Sequence, residues 1–212
     1  MSGEVIVIGA GGHAKVVIST LIESGLKVKG ILDDDNKKLG NNVLGIPVIG
    51  KLDLLKTRDF KVAITAIGDN EVRKRIVEKY ANFCKWTRVI HSFSYVHPTA
   101  KIGEGTVVFA GSVIQPDVII GNHVIVNTGA RIDHDCRIAD YVHIAPGVKL
   151  AGAVTVDEGS FLGINSAVIP NKNIGKWAVL GAGGVVTRDV SDFSVVAGVP
   201  ATYLKKKRVF NG

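Results

Sequence analysis

The segment Val126-Asn127-Thr128-Gly129-Ala130-Arg131-Ile132-Asp133-His134-Asp135-Cys136-Arg137-Ile138 places an aliphatic residue at every sixth position, and the spacing continues unbroken in both directions. It starts at Val96 and passes through Ile102, Val108, Ile114 and Ile120. Beyond Ile138 it runs through Ile144, Leu150, Val156, Leu162, Val168, Ile174 and Leu180 to Val186. Four residues after most of these stands a small or β-branched residue, as at Ala100, Thr106, Ser112, Val118, Ala130, Cys136, Ser160 and Ser166, with Lys172 as the clear exception. A period of six matches neither a 3.6-residue helix nor an alternating strand. It describes a parallel β-helix in which three short strands make one triangular coil of about 18 residues. At an interstrand spacing of about 4.8 Å, some five coils stack into a prism roughly 25 Å tall. A narrow lumen filled with Ile, Val and Leu accounts for a chain that is 46% hydrophobic but only 6% aromatic. Cys136 falls at the small inward position and is expected to pack there rather than react.

The first half has a different rhythm. Glu4 to Ile8 is a β-branched run ending in Gly9-Ala10-Gly11-Gly12-His13-Ala14, and Val16, Val17, Ile18, Leu21 and Ile22 follow at helical spacing. Val28 to Leu32 runs into Asp33-Asp34-Asp35, and Val62 to Ile67 ends at Gly68-Asp69-Asn70, after which Glu71 to Lys85 reads as a basic amphipathic helix. Strands alternating with helices predict a small parallel sheet, whose ligand crevice lies at the carboxyl ends of its strands. Gly11, Gly12, His13, Asp33, Asp34, Gly68 and Asn70 are expected to converge there. The pattern G-x-G-x-x-A over Gly9 to Ala14, with Asp33 some 20 residues on, also matches a dinucleotide fingerprint. Fewer than 100 residues precede the β-helix, however, so one mononucleotide half is what fits. The expected organisation is an α/β half-Rossmann domain over residues 1–91 and a β-helix with a C-terminal tail over 92–212. Lys15 and Arg73 suit either a phosphate or a solvated helix surface.

The chain has 212 residues and a formal charge of +7, with Lys205-Lys206-Lys207-Arg208 forming one basic block. A basic balance permits nucleic acid, anionic membrane or a phosphate-bearing small molecule. A solvated tail is the simplest account of the block, with attraction of a ligand's phosphates as the alternative. No apolar run reaches the 18 or so residues of a membrane span, and Met1 to Glu4 does not open a secretory signal, so a cytoplasmic protein is expected. Two cysteines, Cys84 and Cys136, make neither a disulfide framework nor a zinc site, and no metal is expected.

Within the repeats, His134 lies between Asp133 and Asp135 at a position where a side chain points outward. Imidazole titrates near 6.5, and a neighbouring carboxylate raises that value and fixes the tautomer, as suits a general base. Spacing alone does not choose between Asp133 and Asp135. One coil beyond His134 lies Gly152, whose backbone N–H a ligand can approach closely, so a donor for a developing oxyanion stands about one strand spacing from the base. His143 lies half a coil from both. Asn127 is a candidate for orienting an acceptor beside His134, whereas His91, His97 and His123 read as ordinary packed or exposed residues.

Sixteen unbroken hexads, Gly11-Gly12-His13, Gly68-Asp69-Asn70-Glu71, Asn127-Thr128, His134-Asp135-Cys136, Gly163-Ile164-Asn165-Ser166 and Gly198-Val199-Pro200-Ala201 together resemble the hexapeptide-repeat acyltransferases. They are most similar to the bacterial nucleotide-sugar N-acetyltransferases that act on 4-amino sugars and to the sialic acid O-acetyltransferases. The resemblance covers essentially the whole chain. It implies a left-handed β-helix, a homotrimer, acetyl-CoA as donor bound between neighbouring β-helices, and a nucleotide-linked amino sugar held by the N-terminal domain. It assigns the base to His134, its partner to Asp135, a place near the thioester to Gly152, and the donor site to His143, Ile164, Gly181 and the closing glycine-proline segment. A glycine after Leu180 is equally explained as easing a tight corner. The activity implied is acetylation of the C4 amine of a 4-amino-4,6-dideoxy sugar, UDP-linked in this reading, for bacterial glycan synthesis. The alternatives are a sugar O-acetyltransferase, an NAD-binding protein built on the glycine turn, and a non-catalytic trimeric scaffold.

Overall fold

A computed structural model describes residues 4–57 and 60–207, which form two compact units parting between Ser92 and Phe93. In the first unit the central strand β1 (Val5–Ile8) is fully buried and leads into helix α1 (Gly12–Glu23). Strands β2 (Val28–Leu32) and β5 (Val62–Thr65) flank β1 in parallel, as continuous aliphatic runs do when both faces of a sheet are covered. Helix α3 (Asn70–Tyr80) starts at Asp69, whose carboxylate accepts from the Val72 N–H at 2.8 Å. It stops five residues before the expected Lys85, because Lys85–Trp86 forms a short strand β6 against β5.

Residues 36 to 57 contribute elements that no periodic pattern announces. Asn42–Val43 (β3) and Ile46–Gly50 (β4) form a two-residue hairpin over Leu44 and Gly45, both in the left-handed region, and a short helix α2 (Leu54–Thr57) follows. The sheet order is therefore β3-β4-β2-β1-β5-β6. This is the half-Rossmann arrangement extended at each edge by a short strand.

The second unit is a left-handed parallel β-helix of the expected coil length. Val107 pairs with Ile125, Ile125 with His143, His143 with Phe161 and Phe161 with Val179, each step being 18 residues. That ladder is the first face. The second carries Tyr95, Val113, Arg131, Lys149, Ala167 and Val185 in register, and the third carries Lys101, Ile119, Arg137, Thr155 and Asn173. Every aliphatic of the hexad from Val108 to Val186 is buried, while Val96 and Ile102 in the opening coil are half-buried. The second inward position is buried from Thr106 to Ser166, and Lys172 is partly exposed. At four of these positions a polar side chain closes the coil, whereas the buried Ser166 hydroxyl makes no such bond. Thr106, Ser112, Cys136 and Ser160 each donate to the carbonyl fifteen residues on, at 2.6 to 3.2 Å.

A third position of the hexad makes the corner. Residues 105, 111, 117 and every sixth one to 183 have positive φ, whether glycine, as at Gly105, Gly129 and Gly147, or not, as at Asp117, Asp135, Tyr141, Ala153 and Trp177. A left-handed residue turns the chain sharply while leaving both neighbours extended, at a cost that glycine avoids and that Asn and Asp bear better than most. At one corner rings stack along the prism: His123 lies parallel to Tyr141 with centroids 5.5 Å apart, and a Cβ on Gly159 would strike the Trp177 ring.

The register shortens at the end. Leu180 pairs with Val196 and Ile174 bridges Val190, both 16 residues apart, because position 192 is an aspartate and Val190 replaces it inside. Lys205 and Lys206, expected in a solvated tail, instead belong to a strand over Thr202–Lys206 that pairs antiparallel with Ser194–Ala197. Lys207 sits 5.0 Å from the Trp177 ring. Arg208 lies outside the described residues. No described helix is long and apolar enough to cross a membrane.

The corner geometry generates a stability prediction at Asn171, an exposed corner residue with φ of 57°. Asn171→Val should lower the unfolding free energy by about 1–2 kcal/mol because a β-branched residue resists the left-handed region, whereas Asn171→Gly should change it by less than about 0.5 kcal/mol. Chemical denaturation of the two variants beside the parent protein measures both.

Candidate functional site

Two sites are built, one in each unit. In the β-helix, chain order runs from the second face through a corner to the third face, and this corner column reads Pro98, Pro116, His134, Gly152 and Pro170. From Pro116 on these are the residues just before the left-handed ones, and their amides lie off the strand ladders. Proline has no N–H there to satisfy. The His134 N–H is taken by Asp133 Oδ1 at 2.8 Å. The Gly152 N–H has no acceptor among the described residues, although the Gly152 and His134 carbonyls accept from Asn171 and Ala153.

Asp135 is in the left-handed region, with φ of 62°. Its carboxylate thereby swings back to the ring of the preceding residue, and Oδ2 lies 2.7 Å from His134 Nδ1. The structure thus separates the two carboxylates that spacing left equivalent: Asp135 holds the imidazole, and Asp133 holds the backbone that carries it. The Asp135 hydrogen bond, followed by the charge of Asp133, raises the His134 pKa above its ordinary value. With Nδ1 occupied as a donor, Nε2 is left as the basic nitrogen. Both side chains of the pair are about three-fifths exposed.

Gly152 has a steric reason as well. A Cβ there would come within 2.6 Å of His134 Cε1 and 2.7 Å of Nε2. The imidazole lies across the bare Gly152 backbone, and the coil arithmetic that pairs residues 134 and 152 holds. The corner therefore offers a base and an unclaimed N–H donor side by side.

Asn127 and His143 lie elsewhere. Both belong to the first face, which in a triangular coil stands opposite the corner carrying His134. Asn127 Nδ2 is 3.2 Å from His143 Nε2, its Oδ1 accepts from the Thr128 N–H, and Phe161 packs edge-on to the imidazole at 5.1 Å. Within one chain, then, Asn127 partners His143 and not His134. The signal was available: Ile125 pairs with His143, so a residue two further along the same outward ladder is its diagonal neighbour. Ile164 is half exposed. Gly181 is not a corner residue, as Gly183 takes that role with φ of 67°; a Cβ on Gly181 would lie 2.7 Å from the Ala197 Cβ, so close packing of the last coil requires it.

In the first unit, Gly11, Gly12, His13, Asp33, Asp34 and Gly68 line one cavity of about 640 Å³ at the carboxyl ends of the strands. Gly9 is needed for the turn itself, with φ of 103° and Ile67 3.0 Å from where a Cβ would stand. A Cβ at Gly11, Gly12 or Gly68 would meet nothing within 4 Å, so packing does not explain these glycines, and they leave the backbone open to the cavity. Helix α1 begins here with Gly11 as its cap and no side chain covering its first N–H groups, a setting that favours an anion.

Asp33 is more constrained than a free ribose partner. Oδ2 accepts from the Ala10 N–H at 2.7 Å and from Lys38 Nζ at 3.0 Å, and Oδ1 accepts from the Asp35 N–H at 2.9 Å. Burial pushes its pKa up, but these donors outweigh it and hold the carboxyl below its ordinary value. It pins the glycine turn. Asp34 uses one oxygen on the Leu52 N–H and still lines the cavity. Burial, and then the charge of Arg73, lower His13 to about 4, so at neutral pH it offers a neutral imidazole. Arg73 is not a surface residue. It is buried, donating to the carbonyls of Ile67 and Gly68 and to Asn70 Oδ1 at 2.9 Å, and Asn70 faces this guanidinium and not the cavity. Arg75 and Lys79, one turn apart on α3, also line the cavity, and the basic helix pattern pointed to them without marking which face they take.

Two family descriptions match the chain: the PglD N-terminal domain over residues 4–80, and the bacterial transferase hexapeptide over residues 99–134 and 117–152. A His→Asn variant of perosamine N-acetyltransferase from Caulobacter crescentus, solved in complex with CoA and GDP-perosamine, is 40% identical. The alignment covers 97% of this chain and 99% of that one, with a TM-score of 0.91. The acetyltransferase domain of PglB from Neisseria gonorrhoeae in complex with acetyl coenzyme A is 37% identical, with 96% and 100% covered and a TM-score of 0.90. Among curated proteins, the match to dTDP-3-amino-3,6-dideoxy-alpha-D-galactopyranose 3-N-acetyltransferase from Aneurinibacillus thermoaerophilus is 42% identical over 24% of this chain. The chain spans about a quarter of that protein's length, 26%, and about a fifth, 21%, of an uncharacterised mimivirus relative. Two domains in the same order and near-complete alignment to solved relatives leave one assignment: the chain belongs to the family of hexapeptide-repeat nucleotide-sugar N-acetyltransferases.

Proposed function

We propose that this enzyme transfers acetyl from acetyl-CoA to the C4 amine of a 4-amino-4,6-dideoxy sugar carried on a nucleoside diphosphate, for bacterial glycan synthesis. UDP is our first choice of carrier, and the GDP-perosamine seen with one relative makes GDP the next to try. The observation that carries the reading is the His134 imidazole, bonded to Asp135 at 2.7 Å and lying over the bare backbone of Gly152. Nε2 of His134 takes the proton that the amine loses as it attacks the thioester carbonyl. The Gly152 N–H donates to the carbonyl oxygen as negative charge collects on it, and Asp135 stabilises the imidazolium. The proton then leaves on the departing thiolate. No serine or cysteine stands against His134 to form an acyl-enzyme among the described residues, so transfer is direct.

The nucleotide sugar sits in the first unit, with its diphosphate at the start of α1 and the sugar toward His13 and Gly68. Asp34 is placed for the ribose or base. Ile164 and the Gly198 to Ala201 segment belong to the donor site. We take the working enzyme to be a homotrimer, because His134 and the Asn127–His143 pair stand on opposite sides of the prism and serve one reaction only if two chains meet. We place the enzyme in the cytoplasm.

With acetyl-CoA and a panel of UDP- and GDP-linked 4-amino sugars, a coupled thiol assay should show His134→Ala losing 10²- to 10⁴-fold in kcat, the range of a lost general base. Turnover near the parent value would end this reading.

The pH profile gives a signed test. Because Asp135 raises the His134 pKa, the base is protonated up to a pH above 6.5, and kcat/KM should rise as pH passes through that raised value. Asp135→Asn removes the largest cause, so its acid limb should move to lower pH while its plateau falls; an unmoved limb contradicts the assignment.

The bond formed is checked separately. Product mass should survive mild alkali as an amide does, whereas loss of 42 mass units, about one acetyl group, would mark an ester and the O-acetylating alternative.

A further inference from the structure

The second face of the β-helix carries a feature the proposed mechanism does not use. Along its outward ladder stand Tyr95, Val113, Arg131, Lys149, Ala167 and Val185, so Arg131 and Lys149 occupy the same position on adjacent rungs. Cations directly opposite one another across a strand pair repel. In no other described rung of the three faces does one cation stand directly over another: on the third face Lys101 and Arg137 are separated by Ile119. Neither Arg131 nor Lys149 has an ion pair among the described residues, and Lys149 Nζ donates only to the Gly147 carbonyl at 3.1 Å. Asp133, on the same face, spends Oδ1 on the His134 amide.

The two cations border a cavity of about 470 Å³ that Gln115 and the Asp133 carboxylate also line, leaving one net positive charge among walls that are otherwise apolar, including Val113, Ala151, Ala167 and Ile169. Low-dielectric walls strengthen the attraction of an anion to such a pair, and the guanidinium fork matches phosphoryl oxygens. The position is also significant. Arg131-Ile132-Asp133-His134 and Lys149-Leu150-Ala151-Gly152 are successive coils, so each cation precedes one of the two reacting-corner residues by three positions, roughly 10 Å at strand rise.

We propose that Arg131 and Lys149 form a phosphoryl-binding site that anchors one of the two substrates alongside the His134–Gly152 corner. The ligand is a phosphate monoester or diphosphate, found on CoA as well as on a nucleotide sugar. This rests on the acetyltransferase reading for its role, but its test needs no turnover.

CoA, 3′-dephospho-CoA, UDP and GDP are titrated calorimetrically into the full-length protein and into the double variant Arg131→Gln, Lys149→Gln. The expected result is a loss of tenfold or more for at least one ligand, with a smaller loss in Arg131→Lys, which keeps the charge. Weakening of CoA but not of 3′-dephospho-CoA identifies the donor's 3′-phosphate; weakening of both identifies its diphosphate. Weakening of UDP or GDP identifies the acceptor, and its diphosphate then belongs at this pair instead of at the start of α1. Because the site relieves a repulsion only when filled, the ligand-free double variant should melt at or above the parent temperature and keep its mass in light scattering. Binding of all four ligands within twofold of the parent overturns the proposal. So does a variant that melts several degrees lower or changes its oligomeric mass, since the pair is then structural. Failure of the acetyltransferase reading would show separately, as absence of acetylated product from the parent protein.

Discussion

The structure depends on one backbone constraint, a residue held in the left-handed region every six positions from 105 to 183. Each such residue turns the chain tightly enough that three strands close one coil, and equal coils keep the ladder at 18 residues. Everything chemical in the β-helix follows from that constancy. The His134 imidazole and the Gly152 amide stand on neighbouring rungs only because no coil between them gains or loses a residue. The same turn that makes the corner at Asp135 rotates its carboxylate onto the imidazole, so a structural necessity and the tuning of a base are met by a single φ angle.

The corner column also shows how a repeat is made into a site. At most places the residue before the left-handed one is proline, or its amide is covered by a side-chain carboxylate or amide, as Asn122 covers Glu104 and Asp140 covers Asn122. In the column from Pro116 to Pro170 this covering lapses at Gly152, which lacks a side chain as well as an acceptor; the Asp140 and Ile164 amides, at other corners, lack only the acceptor among the described residues. Gly152 is itself buried beneath the imidazole, so its uncapped N–H is short of solvent as well as of an acceptor. It becomes useful when a carbonyl oxygen acquiring charge is placed against it.

Much of this was legible in the residues. The hexads announce the coil, and adding 18 to 134 gives Gly152 as the residue beneath His134. The limits were local. Asp133 and Asp135 flank His134 symmetrically in sequence, and only the sign of φ at Asp135 decides which reaches the ring. Asn127 was expected beside the His134 corner; within one chain it stands on a different face and contacts His143, because outward positions one hexad apart point from different faces. In the first unit, Gly11, Gly12, His13 and Gly68 were placed together correctly by the rule for parallel strand ends. Residues 36 to 57 escaped because a two-residue strand and a four-residue helix are too short to show a period. Asp33 lines the expected cavity and Arg73 is buried away from it, but at both the sequence marks a charge and not whether backbone groups have already claimed it. Asp33 is spent on the Ala10 and Asp35 amides, Arg73 on the Ile67 and Gly68 carbonyls. That expenditure also weakens the dinucleotide reading, which needs an acidic side chain open to a ribose.

The most direct measurement of the central claim is a crystal structure of this protein with acetyl-CoA bound. The account predicts the thioester carbonyl oxygen about 2.9 Å from the Gly152 nitrogen, with His134 Nε2 facing the carbonyl carbon across room for one amine. A thioester ordered at another corner of the prism, with the Gly152 amide facing solvent, would contradict it.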